Sequence, residues 1–437
     1  MRAFKVFSLR RTTFGAVFSF AAIGSAFAQL PSASPAAFGM AGNFTAMARG
    51  YEAVAWNAAN LAMPGRPMFS IGVGIGGGNA GLDPVDLKML SDFSGLVVDS
   101  ATKSLWLDKA RLSGSQNARL DGGVTPLALS VGPVGLHVGS TAYTTMALSP
   151  DAWEAYLFGN AGNNNGQPKP IDMTGTSLRA AAFTTGGLSI ALPLPLTLTG
   201  NLLPNEHLAI GVTGKYVVGH GLIVATDMGS SVGINDVLLR FPIIGPAEAS
   251  NAQAGSGTAA DVSLAWQGGP FRVGMLAENV FSSFKWDTTK LAYFPGTGSF
   301  SISSGNGTDF DEVGYAGAPA ELKEIVASQA FKPRFSIGMA FSPMNSLTLS
   351  ADVKAATGGD AAMVIGPKSH VGVGAEWRVI PVIPLRAGVA SVTDGWQAGA
   401  GAGIRVMGYE LGISGAIRRR GEATESGVMV GVIGIGR

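Results

Sequence analysis

The chain of 437 residues has a net charge of +1, and only 14% of its residues are charged, against about 25% in a typical soluble domain. This near-neutral balance gives no electrostatic basis for binding nucleic acid. The chain has no cysteine, which excludes disulfides, thiolate metal sites and c-type haem attachment, and we expect no cofactor.

The first predicted element is a signal peptide at residues 1–28. It starts basic, runs without charge from Thr12 to Ala28, and closes on the small-x-small pattern Ala26-Phe27-Ala28. This combination is typical of a leader that is removed on export, so we expect the mature chain to begin at Gln29. An uncleaved anchor helix is the alternative, but the run is short and contains Gly and Ser.

Residues 29–66 form a segment rich in small residues, ahead of the first strand-like run. Positions 41–65 read AGNFTAMARGYEAVAWNAANLAMPG. The segment has too many small side chains for a sturdy core helix and too regular a pattern for a linker.

The remainder, residues 67–437, alternates apolar with small or polar residues, which predicts β-strands. In Arg334–Ser342, for example, the odd positions from Phe335 to Phe341 are apolar and the even positions are Arg, Ser, Gly, Ala and Ser. Fourteen strands are predicted, an even number, as single-chain bacterial barrels require. They lie near 68–76, 123–131, 134–145, 179–192, 207–219, 257–267, 270–280, 333–342, 345–355, 370–379, 384–391, 396–406, 408–418 and 427–436.

The connections differ in length, which indicates a barrel with two unlike ends. Short links such as Gly132-Pro133 and Gly268-Gly269 contrast with inserts near 77–122, 146–178, 229–256 and 281–332. We therefore predict an all-β fold, a closed antiparallel transmembrane β-barrel in the outer membrane. A secreted β-sandwich is the alternative, and it should carry many more charges on its solvent face.

The predicted inner face carries charges of both signs. This mixture favours ion pairs that stiffen a narrow interior over an anion or cation filter. The inward positions are Lys215, Asp261, Arg272, Glu278, Arg334, Asp352, Lys354, Glu376, Arg378, Arg386, Arg405, Glu410 and Arg418.

Two kinds of glycine pattern stand out along the predicted strands. The clusters at 72–78 and 399–403 alternate on one strand face without a following helix, so they are not phosphate loops, and we expect them to make room for a plug or ligand. Gly186 and Gly187 predict either a kink that opens a lateral gap in the wall or an ordinary turn.

Two further features bear on function. The insert Asp83–Arg111 has apolar residues at helical spacing, which predicts an amphipathic surface helix, either an entry groove or a packed lid. The four histidines lie far apart and show neither metal-ligand spacing nor a catalytic arrangement, so we expect neither a metal site nor an enzyme.

The small-residue segment resembles the N-terminal plug, or hatch, of the FadL-like outer-membrane transporters of long-chain fatty acids and aromatic hydrocarbons. The residues that carry the resemblance are Asn57, Ala59, Leu61 and Ala62, which match an Asn-Pro-Ala-x-Leu motif with Ala58 at the proline position. The runs Lys332–Gly338, Leu347–Asp352 and Gly274–Val280 are similar to later parts of that family.

The resemblance implies a segment folded inside the barrel and passive passage of hydrophobic small molecules across the outer membrane. The expected partners are the lipid bilayer and a hydrophobic ligand. The resemblance assigns the hatch to Trp56, Asn57, Ala58, Ala59, Asn60 and Leu61. Related barrels also serve as structural or docking subunits of secretion or envelope complexes, so a non-transporting barrel is the alternative.

Overall fold

The computed structural model describes most of the chain after the predicted leader. The described residues are 33–161, 169–200, 202–234, 236–248, 253–301, 305–357, 368–393, 395–406, 409–420 and 423–436. The predicted signal peptide lies outside them.

Within these residues, fourteen long strands form one closed antiparallel barrel. Each strand pairs with the next along the chain. The first strand also pairs with the last, from Ser70 opposite Gly436 to Ala80 opposite Ser426, so the sheet has no free edge. The predicted count of fourteen is confirmed, and each predicted strand overlaps one strand of the barrel.

The barrel strands are numbered here in chain order. They are β1 Phe69–Asp83, β2 Gln116–Val131, β3 Val134–Leu148, β4 Ser177–Leu194, β5 His207–Thr226, β6 Gly255–Gly268, β7 Phe271–Ser282, β8 Arg334–Met344, β9 Leu347–Ala356, β10 Ser369–Ile380, β11 Ile383–Val392, β12 Gly395–Val406, β13 Tyr409–Arg420 and β14 Ala423–Gly436.

The wall has an apolar outer face and a buried inner face, as the alternation predicts. On β8, Phe335, Ile337 and Met339 are exposed, whereas Ser336 and Ala340 are buried. On β9, Val353 is exposed and Asp352, one residue earlier, is 1% exposed. Period-two burial of this kind is the pattern that a barrel wall requires.

The two ends of the barrel differ in their connections. At the short-connection end, strands are joined by two-residue links at 132–133, 269–270, 345–346 and 381–382. At the long-connection end lie the inserts 84–115, 149–176, 227–254 and 283–333. The N-terminal segment, defined as residues 33–68, leads into β1 at the short-connection end.

Helices occur in the N-terminal segment and the long inserts. They are α1 Pro35–Gly39, α2 Ala53–Trp56, α3 Leu87–Ser91, α4 Ser100–Ser113, α5 Pro150–Phe158 and α6 Ala320–Ser328, with 3₁₀ turns at Gly50–Glu52, Ala58–Ala62, Gly159–Ala161, Thr288–Lys290 and Tyr315–Gly317. Among the described residues, no helix is both long and apolar enough to cross a bilayer.

Short strands in the inserts extend the sheet or form a second one. Ile243–Pro246, Lys285–Trp286, Leu291–Phe294 and Val313–Gly314 join the barrel sheet. A separate five-stranded sheet contains Ile171–Asp172, Ser231–Val232, Asp236–Arg240, Thr297–Ser301 and Gly305–Asp309.

The prediction of a single amphipathic helix within 83–111 is wrong in its extent. The structure has two helices, α3 and α4, because Gly95 takes a left-handed conformation (φ 76°) and Asp99 caps a new helix at the N–H of Thr102. Trp106 and Leu107 are buried in an apolar cluster with Trp153 of the next insert, whereas Val97 is exposed.

Candidate functional site

A belt of charged and polar side chains follows the inner face of β5 to β10, and we call it the upper belt. It contains Lys215, Asp261, Glu278, Arg334, Asp352, Lys354 and His370. Lys215 Nζ lies 2.7 Å from Asp261 Oδ1, and Lys354 Nζ lies 3.5 Å from Asp352 Oδ2. The belt contains three basic and three acidic side chains, so its formal charges balance with the histidine neutral.

A second belt, the lower belt, lies nearer the short-connection end. It contains Arg272, Glu376, Arg378, Arg386, Arg405 and Glu410. Arg386 is buried between two carboxylates, with 2.8 Å to Glu376 and 2.6 Å to Glu410. Arg378 pairs with Glu376 at 2.5 Å, and Arg405 pairs with Glu410. Such a network joins β10, β11, β12 and β13 across the inner face, which is the bracing role expected from the mixed charges.

The N-terminal segment contacts this polar inner face. The clearest contact is the Asp352 carboxylate, whose Oδ2 accepts the N–H of Phe44 at 3.1 Å, the N–H of Thr45 at 3.0 Å and the hydroxyl of Thr45 at 2.6 Å. Three donors on one buried oxygen make a charge-assisted clamp. Sequence reasoning identified Asp352 as an inward residue but gave no signal of its partner, 307 residues away.

Residues just before Phe44 are held by four further strand positions, three through their side chains and one through its backbone carbonyl. Asn43 donates to the carbonyl of Val373 at 2.9 Å, and its own carbonyl accepts the hydroxyl of Ser350 at 2.9 Å. Lys354 donates to the carbonyl of Gly42 at 2.6 Å, and Gln397 donates to the carbonyl of Ala41 at 2.7 Å. Wall side chains thus satisfy the backbone carbonyls of residues 41–43, which follow α1.

Trp56 and Asn57, two of the residues assigned to the hatch, lie buried on the same face. The Trp56 ring meets Phe44 edge-on at 5.4 Å, and the Lys354 ammonium lies 4.8 Å from the centre of the Trp56 ring. Asn57 donates to the carbonyl of Leu264 on β6 at 3.1 Å. These contacts tie the segment to two distant sectors of the wall.

The remaining assigned hatch residues follow in one 3₁₀ turn. The N–H of Ala59 donates to the hydroxyl of Ser263 at 3.0 Å, and Asn60 donates to the carbonyl of Thr45 at 3.2 Å, which links the two halves of the segment. Ala58 and Leu61 are buried.

Inward glycines bring the wall and the segment together. A Cβ added to Gly211 on β5 would lie 2.6 Å from the carbonyl carbon of Ala58, and one added to Gly274 on β7 would lie 2.8 Å from the carbonyl oxygen of Thr45. Gly72 and Gly399, from the two predicted clusters, lie against the Tyr51 ring and the carbonyl oxygen of Phe38 in the same way. Within those two clusters, the expectation that small inward residues make room for a close approach is confirmed at these two positions.

Gly186 and Gly187 lie within β4. Ladder pairs continue through both, with Gly186 opposite Val138 and Tyr216, and Gly187 opposite His137 and Lys215. The register shift of this strand falls between Ala182 and Phe183. A Cβ at Gly187 would collide with the His137 ring, whereas Gly186 has open space beside it. The lateral gap stays a prediction.

An aromatic cluster packs against the inner face of the wall, between the upper belt and the long-connection end of the barrel. Phe183 of β4 packs against Phe284 and Phe331 with ring centres 5.6 and 5.4 Å apart, and Phe284 packs edge-on against Trp286 at 5.3 Å. Leu222, Leu322 and Val326 add aliphatic contacts.

The wall opposite these rings is built from glycine. A Cβ at Gly219 would lie 2.7 Å from the Trp286 ring, and one at Gly255 would lie 3.0 Å from it. The sequence analysis missed this cluster, because three of its aromatic residues belong to the 283–333 insert and nothing in their spacing placed them inside. The inward glycines Gly219, Gly255 and Gly257 were the available signal.

One carboxyl of the N-terminal segment has a shifted pKa. Burial, together with the Glu410 carboxylate, raises the pKa of Glu52 to about 7, although the Ser34 hydroxyl donates to Glu52 Oε1 at 2.5 Å and opposes the shift. Glu52 therefore changes charge near neutral pH.

The described residues contain no group of three or more His, Asp or Glu side chains able to share a metal ion. His137 and His370 are separate inner-face residues, and His370 Nε2 lies 3.0 Å from Asn43 Oδ1.

The architecture defines the class of protein, a closed fourteen-strand β-barrel of the outer-membrane type. Its fold is that of known hydrocarbon transporters. The Ralstonia pickettii toluene transporter TbuX aligns with a TM-score of 0.52 at 11% identity, over 93% of this chain and 99% of that chain. The P. putida toluene transporter TodX aligns with a TM-score of 0.51 at 10% identity, over 94% and 99%.

A mutant of TodX, described as a monoaromatic hydrocarbon channel, aligns with a TM-score of 0.54 at 10% identity, over 93% of this chain and 99% of that chain. The FadL-like fold that the sequence resemblance implied is therefore confirmed. No protein-family model and no curated protein matches the chain.

Proposed function

We propose that this protein is an outer-membrane channel for the passive uptake of hydrophobic small molecules, with the N-terminal segment as its plug. The observation that carries the proposal is the aromatic cluster around Phe183, Phe284 and Trp286. It gives the barrel interior a packed apolar region at the end that bears the long inserts, on a wall whose inner face otherwise carries small, polar and charged side chains.

The location of that apolar region suits binding of an apolar solute. Such a solute crosses a polar saccharide layer poorly, and an aromatic site offers it contact area without charged groups. The toluene transporters of the same fold support monoaromatic hydrocarbons as the first substrates to test. Long-chain fatty acids, implied by the sequence resemblance, are the second.

The N-terminal segment supplies the closed state of the proposed channel. Its buried contacts with the inner faces of β5 to β12 suit a plug that must move before solute passes. These contacts are hydrogen bonds, the cation–π contact of Lys354 with Trp56 and close approaches to inward glycines, and none of them requires a covalent change to open. No energy source enters the proposal.

The test is uptake of toluene or oleate into liposomes that contain the intact protein or a variant lacking residues 29–62. We expect measurable flux with the intact protein and faster, less selective flux with the deletion. Background flux from both would contradict transport and favour the docking subunit. Asn57→Ala tests one anchor: unchanged gating would remove Asn57 from the plug contacts.

A further inference from the structure

The connection between β4 and β5 is unlike the other described connections at its end of the barrel. It spans 195–206, of which 195–200 and 202–206 are described, where four of the others have two residues each. Leucines at 192, 194, 196 and 198 alternate with prolines and threonines, and no charged residue occurs between Arg179 and Glu206. The alternation continues the outward register of Leu188 and Ile190 beyond the paired part of β4.

This connection, which we call the leucine turn, is held in a defined shape by Glu206. The carboxylate accepts the N–H of Thr199 at 3.0 Å, the hydroxyl of Thr199 at 3.0 Å and the indole N–H of Trp266 at 2.7 Å. The N–H of Gly269 donates to the carbonyl of Pro204 at 2.7 Å. The turn therefore leans along the barrel rim towards the β6–β7 link.

The leucine side chains of this ordered turn are presented outward. Leu196, Leu198 and Leu202 are 58%, 64% and 85% exposed. The turn is held by the four hydrogen bonds described above, and its leucine side chains are not packed against its own backbone. Exposed apolar side chains on a rigid frame mark an interaction surface.

The rim beside the turn has the composition of a membrane boundary. Trp266 lies on the outward register of β6, and Phe271 and Phe341 stack on neighbouring strands with ring centres 4.9 Å apart. Aromatic girdles of this kind sit at the level of lipid headgroups. The turn joins this girdle through the Trp266–Glu206 hydrogen bond.

We propose that the leucine turn inserts into the phospholipid leaflet at the short-connection end and anchors the barrel at that interface. Leu196, Leu198 and Leu202 would lie at the headgroup–acyl boundary, with the Glu206 carboxylate on its aqueous side. The continuity of the leucine stripe with the outward face of β4 favours lipid as the occupant. Pro193 and Pro195 lack backbone N–H groups, which disfavours strand addition from a second copy.

The absence of cysteine from the chain makes a depth measurement direct. Single variants Leu202→Cys and Leu198→Cys carry an environment-sensitive fluorophore in phosphatidylcholine vesicles. Leu188→Cys serves as a deep reference on the outer face, and Asn345→Cys in the β8–β9 link serves as an aqueous reference. Heat-modifiable migration on gels verifies folding of each variant.

We expect the labels at Leu202 and Leu198 to be quenched at least threefold more by lipid carrying a nitroxide near the headgroup than by lipid carrying one deep in the chain. Both labels should be shielded from aqueous iodide relative to Asn345. Iodide access equal to that of Asn345 would overturn the proposal. So would Leu202→Cys dimers that form at low protein density, since a second copy would then occupy the surface. The inference rests on the membrane placement of the barrel, and toluene flux measured on the same vesicles reports separately on transport.

Discussion

Asp352 Oδ2 accepts a hydrogen bond from the N–H of Phe44 across 308 residues of chain. Its side chain is 1% exposed, and it also receives both donors of Thr45. A wall carboxylate thereby fixes the backbone of the N-terminal segment at one point.

Asp352→Ala should loosen the N-terminal segment. It removes three charge-assisted hydrogen bonds and leaves buried donors unsatisfied, which we expect to weaken docking by about 3 kcal/mol, or about 100-fold in the undocked population. Arg49 is the one trypsin site in the sequence from residue 33 to residue 65, so release of a peptide ending at Arg49 reports undocking.

The matched control for this variant is Asp261→Ala. Asp261 is another buried carboxylate of the upper belt, and it pairs with Lys215 and accepts the N–H of Asn279, both of which belong to the wall. Cleavage at Arg49 should stay at the wild-type rate in this control. Equal acceleration in both variants would mean that the effect comes from wall damage rather than from the clamp.

Gly211→Val should also displace the segment. The added Cβ would lie 2.6 Å from the carbonyl carbon of Ala58, a backbone atom that no rotamer change can move away. Gly214→Val, three residues later on β5, meets open space and gains β-propensity. We expect rapid cleavage at Arg49 in the first variant only. Slow cleavage of both variants would contradict a close approach of the segment to Gly211.

Arg386→Met should lower the stability of the barrel rather than of the segment. The change removes the cation that lies between the Glu376 and Glu410 carboxylates. Removing one partner of a buried ion pair costs about 3–5 kcal/mol. Unfolding in guanidinium, followed by tryptophan fluorescence in detergent, measures the loss. Arg405→Met removes a more exposed partner of Glu410 and should cost less than half as much.

Docking of the N-terminal segment should weaken as pH rises from 5 to 8. The pKa of Glu52 is raised to about 7 by burial and by Glu410, so the docked state holds a proton that the undocked carboxyl releases near its ordinary pKa of 4.5. The stabilisation is complete below that lower value and is lost as pH passes through 7. Arg49 cleavage, expressed relative to cleavage of a reference peptide to correct for the pH dependence of trypsin itself, should quicken across this range, and Glu52→Gln should abolish that relative dependence. An unchanged pH profile in that variant would assign the effect to another group.

Much of the barrel could be predicted from sequence because each strand carries its own periodic signal. Phe335, Ile337 and Met339 identify both β8 and its outer face without reference to any other segment. The short links predicted at Gly132-Pro133 and Gly268-Gly269 indicated which ends of the strands are joined directly, and the structure places the second link one residue later, at 269–270. The insert at 83–111 was harder, because the break at Gly95 and the cap at Asp99 are local signals within a run whose apolar spacing looked continuous.

The interior was only partly predictable, since its contacts join residues that are remote in sequence. The charges of Glu376, Arg386 and Glu410 could be placed on the inner face, but the pairing between them depends on strand register across β10 to β13. The hydrogen bond between Asp352 and Phe44 depends on how the N-terminal segment packs against the inner face of the wall. Placing Phe284 and Trp286 inside the barrel requires knowledge of the path of the 283–333 insert, and that insert carries no periodic pattern from which its path could be predicted.

The most direct test of the central claim uses a reversible cross-link between the N-terminal segment and the wall. A Cβ at Gly374 would lie 3.2 Å from the Cβ of Met40, near the separation of about 3.8 Å found in disulfides, so Met40→Cys/Gly374→Cys in this cysteine-free chain should cross-link on oxidation. Toluene flux into liposomes is then measured before and after reduction, with each single variant alongside. We predict background flux in the oxidised double variant and restored flux after reduction. Full flux through the locked protein would contradict a channel that opens by moving its N-terminal segment.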